Sequence, residues 1–298
     1  MSDYRLRLAG VAAALAAAIA MAAPVVAQDK VVNVYNWSDY IDPTVLEDFT
    51  KETGIKVKYD LFDSNDILET KLLAGKTGYD VVVPSGAFLA RQIQAGIFQP
   101  LDKSKLSNIG NMWPEITTRL AAFDPGNKYA ISYMWGTTAI GYNVKKLKER
   151  MPDAPLDSWS LVFDPEIVKN FKDCGVMMLD ASDEIIPAMM NYIGIDPNSK
   201  SPEDFKKAAE HFKKVRANVR KFHSSEYINA LANGDICLVV GWSGDVIQAR
   251  DRANEKNAKI TDEAKKTEIS FSIPKEGAAM WFDNMAIPTD AAHKEEAH

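Results

Sequence analysis

VVNVYNWSDYIDPTVLEDFTKETGIKVKYDLFDSNDILETKLLAGKTGYDVVVPSGAFLARQIQAG, residues 31–96, is the stretch on which the fold turns. Residues 31–35 read as a buried strand. Asp42-Pro43 supplies a helix N-cap followed by proline at the first helical position, where its missing N–H costs nothing. Val45, Leu46 and Phe49 make the apolar stripe of that helix, and Gly54 ends it. Ile55, Val57, Tyr59 and Leu61 alternate with polar residues, the period of a half-buried strand. Ser64 or Asn65 starts a second helix with Ile67, Leu68, Leu72 and Leu73 expected inward, closing by Gly75 or Gly78. A short strand over 80–84 and a helix over 87–95 complete the run. Strand and helix in strict alternation point to an α/β fold whose parallel sheet is covered on both faces.

Outward from this segment the grammar continues less regularly. Residues 129–142 form a long extended stretch, interrupted at Gly136 and Gly141, suited to crossing between two lobes. Ser201-Pro202-Glu203-Asp204 opens a long helix with Phe205, Ala208, Ala209, Phe212 and Val215 on one side and a solvated Lys/Arg face on the other. A strand over 236–240, a helix over 244–255 and strands over 268–273 and 280–287 follow, with the polar segment 254–267 as a second crossover. A chain of 298 residues exceeds a typical single domain. The expected division puts 28–135 and 262–298 in a discontinuous first lobe and 136–261 in a second.

The chain is 46% hydrophobic and 26% charged, an ordinary globular composition, with a formal net charge of −6. Mild acidity argues against a nucleic-acid partner, which needs clustered Lys and Arg. Arg5 and Arg7 precede an Ala/Leu-rich run that ends in Pro24 and Val25-Val26-Ala27. That is the pattern of a secretory signal peptide over 1–27, removed on export of the mature chain. The alternative is a retained anchor, since the run is nearly long enough to span a bilayer. Cys174 and Cys237 are either one disulfide or two buried thiols in such a protein. The four histidines show no metal-ligand spacing, so no metal or cofactor is expected.

Open α/β sheets bind ligands beyond the carboxyl ends of their strands. Trp37, Ser38 and Tyr40 follow the first strand, Ser85 the third, and Trp242, Ser243 and Asp245 the strand over 236–240. Trp281 and Asp283 add an aromatic and a carboxylate, and Glu184 closes the acidic run LDASDE (179–184). Flat aromatic walls beside carboxylates suit a small cationic or stacking ligand: a buried cation must be paired, and an aromatic face attracts it by about 0.5–2 kcal/mol. Each residue also has a structural alternative, Asp245 as a helix cap and Glu184 as a charge near a helix N-terminus among them. Asp39 and Asp183 read as solvated neighbours.

VYNWSDYI (34–41), YDVVVPS (79–85), FHSSEYIN (222–229), NGDIC (233–237), GWSGD (241–245) and SIPKEGA (272–278) together resemble the periplasmic putrescine/spermidine-binding proteins of ABC transporters. The resemblance runs from about Lys30 to the end of the chain. It implies the two-lobed periplasmic-binding-protein fold of type II, a ligand in the interlobe cleft, and a non-catalytic monomer. Such a protein captures putrescine or spermidine and hands it to membrane permease subunits. It further implies Trp37, Ser38, Tyr40, Ser85, Glu184, Trp242, Asp245, Trp281 and Asp283 as the polyamine contacts, and a disulfide between Cys174 and Cys237.

Two departures qualify the resemblance. The chain ends at Glu295-Glu296-Ala297-His298, where the family begins a helix, so C-terminal elements of the family fold are expected to be absent. Trp281 stands where putrescine-selective members carry a smaller aromatic, which leaves putrescine against spermidine open. Other classes remain as alternatives. One is a polyamine sensor that touches a membrane receptor. The other is a secreted enzyme acting on a small amine or sugar, for which neither a Gly-x-Ser-x-Gly elbow nor a His-Glu-x-x-His motif is present.

Overall fold

The computed structural model describes residues 30–298, and the expected signal peptide over 1–27 lies outside the described residues. The first helix, Pro43–Thr53, is capped by the Asp42 carboxylate, which accepts from the Thr44 N–H, and ends at Gly54 with φ of 72°. The next, Asn65–Ala74, is capped by the Ser64 hydroxyl, which accepts from the Ile67 N–H. These are the start and stop signals that the sequence carries.

Among the described residues nine strands join one sheet. They are β1 (Val31–Trp37), β2 (Lys56–Phe62), β3 (Val81–Val82), β4 (Ala130–Asn143), β5 (Val176–Met178), β6 (Lys221–Phe222), β7 (Leu238–Trp242), β8 (Ile269–Ser272) and β9 (Ala279–Ala286). The order is β2-β1-β3-β9-β4-β7-β5-β6, with β8 paired to β4 off that path. β1, β2 and β3 pair in parallel, and so do β5, β6 and β7, whereas β9 and β4 enter antiparallel. The sheet is therefore mixed where the two lobes meet, and parallel toward its outer ends.

β4 and β9 run side by side through the junction. Residues Ala130 to Thr138 of β4 pair with β9, while Thr138 to Tyr142 pair with β7. One long strand, spanning the extended stretch over 129–142, thus pairs with both half-sheets. Two cores flank it. The first gathers Tyr35, Phe62, Leu68, Val82, Leu89 and Phe98. The second gathers Ile140, Trp159, Phe163, Phe171, Met178 and Val239. Trp242 packs against both.

β8 pairs with β4 from Ile140 to Asn143, and Ile269 is buried in the second core. A first lobe resuming at 262 would include β8, so we propose that the return crossing is β9 instead. Cys174 and Cys237 form a disulfide in the second lobe, with Cα atoms 5.5 Å apart. Both sulfurs are buried at the starts of β5 and β7, where parallel pairing brings the chain together.

Several expected inward residues are exposed. Val45, Leu61, Ile67, Leu73 and Phe205 each keep about half their surface. The periodicities are right, but β2 is the edge strand and buries only Phe62, and the helix Pro43–Thr53 buries no residue. A stripe faces inward only where a neighbouring layer lies over it. Two strand ends also shift. β1 extends to Trp37, opposite Phe62, and β7 to Trp242, opposite Thr138. Both tryptophans therefore close their strands rather than follow them, since the ladder continues as long as a partner strand is present.

Candidate functional site

A cleft of about 570 Å³ opens between the lobes at the ends of β1 and β7. It is bordered by every candidate: Trp37, Ser38, Tyr40, Ser85, Glu184, Trp242, Asp245, Trp281 and Asp283. Residues from five separate strands and loops meet here because β4 and β9 bring the two half-sheets together. Trp37 and Trp242 contact edge to face, with centroids 5.4 Å apart and planes at 79°. Such a pair is favourable by about 0.5–1.5 kcal/mol beyond burial. The Trp37 Nε1–H donates to the Val83 carbonyl at 2.9 Å, fixing the ring at the base of the first lobe.

Three carboxylates are anchored around these rings. Asp283 is buried; its Oδ1 accepts from the Ser85 hydroxyl at 2.5 Å and its Oδ2 from the Tyr40 hydroxyl at 2.8 Å. The backbones of Ser85 and Asp283 form an isolated antiparallel bridge, so the contact is built into the meeting of β3 and β9. Asn65 holds Ser85 in turn, donating from Nδ2 to its hydroxyl at 3.0 Å and accepting from its N–H at 3.1 Å. Asp245, in the first turn of the helix Ser243–Asn257, accepts from the Tyr227 hydroxyl at 2.7 Å. That same hydroxyl accepts from the Trp242 N–H at 3.1 Å. Glu184, in the first turn of the helix Ser182–Tyr192, accepts from Trp242 Nε1–H at 2.9 Å and from the Thr138 hydroxyl.

Burial dominates the electrostatics. It pushes the Asp245 carboxyl up to about 7, opposed by the Tyr227 hydrogen bond and reinforced by the Asp39 charge. Glu184 is likewise pushed up to about 7 by burial, with Thr138 and Trp242 opposing and Asp183 reinforcing. As a residue Glu184 is only half-buried, but its carboxylate lies beneath Thr138 and Trp242, and we read that charge as desolvated. Asp283 rises to about 6 through burial, opposed by Ser85 and Tyr40. Among the described residues, none that borders the cleft is basic. Desolvated carboxylates without an internal cation favour a cationic visitor, which restores the partner that burial removed. Among the described residues no three His, Cys, Asp or Glu side chains converge as a metal centre.

The sequence reading missed the residues that hold the carboxylates rather than border them as walls. Tyr227 and Thr138 do so directly, whereas Asn65 acts through Ser85 and Tyr133 through the Tyr40 carbonyl, to which it donates. Tyr227 lies inside FHSSEYIN, a segment singled out only for its resemblance. It also missed Gln248 and Arg252, which Asp39, exposed as a solvated neighbour of the site, takes as partners.

A family model described as bacterial extracellular solute-binding protein matches residues 44–298. The chain belongs to this family. Among curated solute-binding relatives, the putrescine-binding periplasmic protein SpuD of Pseudomonas aeruginosa is 54% identical over 272 residues, covering 91% of this chain and 72% of that protein. The putrescine-binding periplasmic protein PotF of Escherichia coli is 53% identical, with coverage of 91% and 72%. A solved structure of a putative spermidine/putrescine ABC transporter protein from Listeria monocytogenes superposes with a TM-score of 0.77 at 33% identity, covering 90% of this chain and 76% of that one. The two-lobed fold expected from the sequence is the fold of these solute-binding proteins, whose role is capture and transport rather than catalysis.

Proposed function

We propose that this protein binds putrescine, with spermidine as the nearest variant, in the interlobe cleft and delivers it in the periplasm to the permease subunits of an ABC transporter. One observation carries the reading: Glu184, Asp245 and Asp283 are desolvated around tryptophan walls, with no basic side chain among the described residues that border the cleft. A linear diamine matches that arrangement. Its ammonium groups pair with carboxylates, and its methylenes lie on Trp37 and Trp242. The proposed contacts are Trp37, Ser38, Tyr40, Ser85, Glu184, Trp242, Asp245, Trp281 and Asp283. The identities to putrescine-binding relatives support the choice of amine. Binding energy that favours the closed arrangement of the lobes is the proposed signal to the permease.

A thermal-shift and calorimetric panel of putrescine, cadaverine, spermidine, spermine and agmatine tests this. Ligand that binds only the folded chain raises Tm by mass action. The expected result is a saturable rise with putrescine or spermidine. No rise and no heat with any of the five amines would sink the reading.

A further inference from the structure

Trp281 borders two cavities. One is the cleft; the other, of about 580 Å³, lies beyond it against Phe88, Phe123 and Asn191, and Ser85 and Glu184 also border both. The indole is therefore a partition. Directly across the β4–β9 ladder from Trp281 stands Gly136, which is buried. A Cβ at that position would lie 2.6 Å from Trp281 Cζ2, 2.7 Å from Cη2 and 2.8 Å from the Ser243 hydroxyl. Carbon atoms in good contact stand at about 3.5–4.0 Å, so the ring rests on bare backbone.

Two further observations isolate the role of this glycine. Gly136 is not among the residues with positive φ, so its backbone conformation does not call for glycine. Glycine weakens a strand interior, and close approach of another group is the remaining reason for it there. The Trp281 Nε1–H is buried without a hydrogen-bond partner, so no polar contact orients the ring. Packing against residue 136 does.

Resting on the polyamine reading of the cleft, we propose that Gly136 is a positioning residue that sets the length of amine accepted. It seats the Trp281 indole as the wall between the two cavities. A side chain at 136 lifts the indole, joins the cavities and favours the longer amine over the shorter. The two closest clashing atoms, Cζ2 and Cη2, belong to the part of the indole that a phenyl ring lacks, whereas the Ser243 hydroxyl is common to both backgrounds.

The test is Gly136→Ala made alone and in a Trp281→Phe background, with putrescine and spermidine affinities by calorimetry. In the Trp281 protein the putrescine-to-spermidine affinity ratio is expected to fall by about tenfold, and in the Trp281→Phe background by less than about twofold. Near-ultraviolet circular dichroism without ligand is expected to change on Gly136→Ala only where Trp281 is present. A single variant that does not fold, beside a double variant that does, also supports the clash. An unchanged ratio and spectrum, or an equal loss of Tm in both backgrounds, overturns the proposal. A parent protein that binds no amine refutes the polyamine reading instead, and the dichroism still decides whether Gly136 seats Trp281.

Discussion

Arg252 Nη2 donates to Asp39 Oδ1 at 2.5 Å, tying the helix Ser243–Asn257 of the second lobe to the loop that leaves β1 in the first. Gln248 Nε2 adds a hydrogen bond to the Asp39 carbonyl at 2.9 Å. Asp39 sits in the left-handed region, with φ of 54°, where Asp is tolerated better than most residues. The pair joins the two lobes beside the cleft, which Asp39 and Gln248 border.

Arg252→Ala is accordingly expected to speed ligand release, and it also removes a charge that holds the Asp245 carboxyl down. Both side chains are about one-third exposed, so solvent screens the pair and its worth is about 0.2–1 kcal/mol. That corresponds to a few-fold faster dissociation by stopped-flow fluorescence, shrinking as salt is raised. An unchanged rate across salt concentrations would show that the contact does not restrain opening.

Asp245→Asn and Asp283→Asn should each weaken putrescine by about 2–5 kcal/mol, the usual cost of deleting one partner of a buried charge pair. The replacements are nearly isosteric, so Tm without ligand is expected to hold or rise for Asp245→Asn as a desolvated charge is removed, whereas for Asp283→Asn the loss of an acceptor for Ser85 or Tyr40 offsets that gain. Calorimetry giving near-parental affinity for either variant would remove that residue from the site.

Stability and binding should depend on pH in opposite directions. Asp245 and Glu184 titrate near 7 and Asp283 near 6 when folded, against about 4 for an unfolded carboxyl. Between those values the folded state holds more protons, so stability is fully present below about 4 and is lost as pH rises through 6–7. Ligand-free Tm is therefore expected to be higher at about pH 5 than at about pH 8 from these groups. A cation binds the ionised forms, so putrescine affinity should climb over the same interval with protons released on binding. Calorimetry in buffers of different ionisation enthalpy reads that release; none between pH 5 and 8 would contradict the assignment.

Tyr227→Phe tests the support beneath Asp245. The hydroxyl stabilises the Asp245 charge and also satisfies the Trp242 N–H, so its loss leaves a buried donor unmatched at about 1–3 kcal/mol. Lower Tm is expected together with a binding midpoint moved to higher pH, because Tyr227 holds the Asp245 carboxyl down. A lower Tm with an unmoved midpoint would reduce Tyr227 to a packing role. Gly241 leaves room for this ring, since a Cβ there would approach Tyr227 Cε2 to 2.8 Å.

What the sequence made legible follows from how local each signal is. Asp42, Ser64 and Gly54 act on their own neighbours, and the helices begin and end where these residues say. Trp37, Ser85, Trp242 and Asp245 were found because strand ends are local and the strand-end rule then supplies the cleft. Thr138 gave no such sign: its hydroxyl matters only because β4 brings it to Glu184, 46 residues away. Tyr227 likewise depends on the packing of its helix against the one carrying Asp245. Leu61 and Leu73 had the right period but no layer above them, a fact that periodicity does not contain.

The shared strands also dictate an order of assembly. Val82 of β3 finds its neighbour in Ala286 of β9, and β9 is needed before β4 can join the first half-sheet. The first lobe therefore waits for nearly the last residues of the described chain, although most of its own residues are made early. Pairings so distant in sequence slow folding, because loop-closure entropy must be overcome before the contacts form. A first lobe that stays open until β9 arrives remains unlocked for longer during synthesis, a state well matched to threading through a narrow translocation pore.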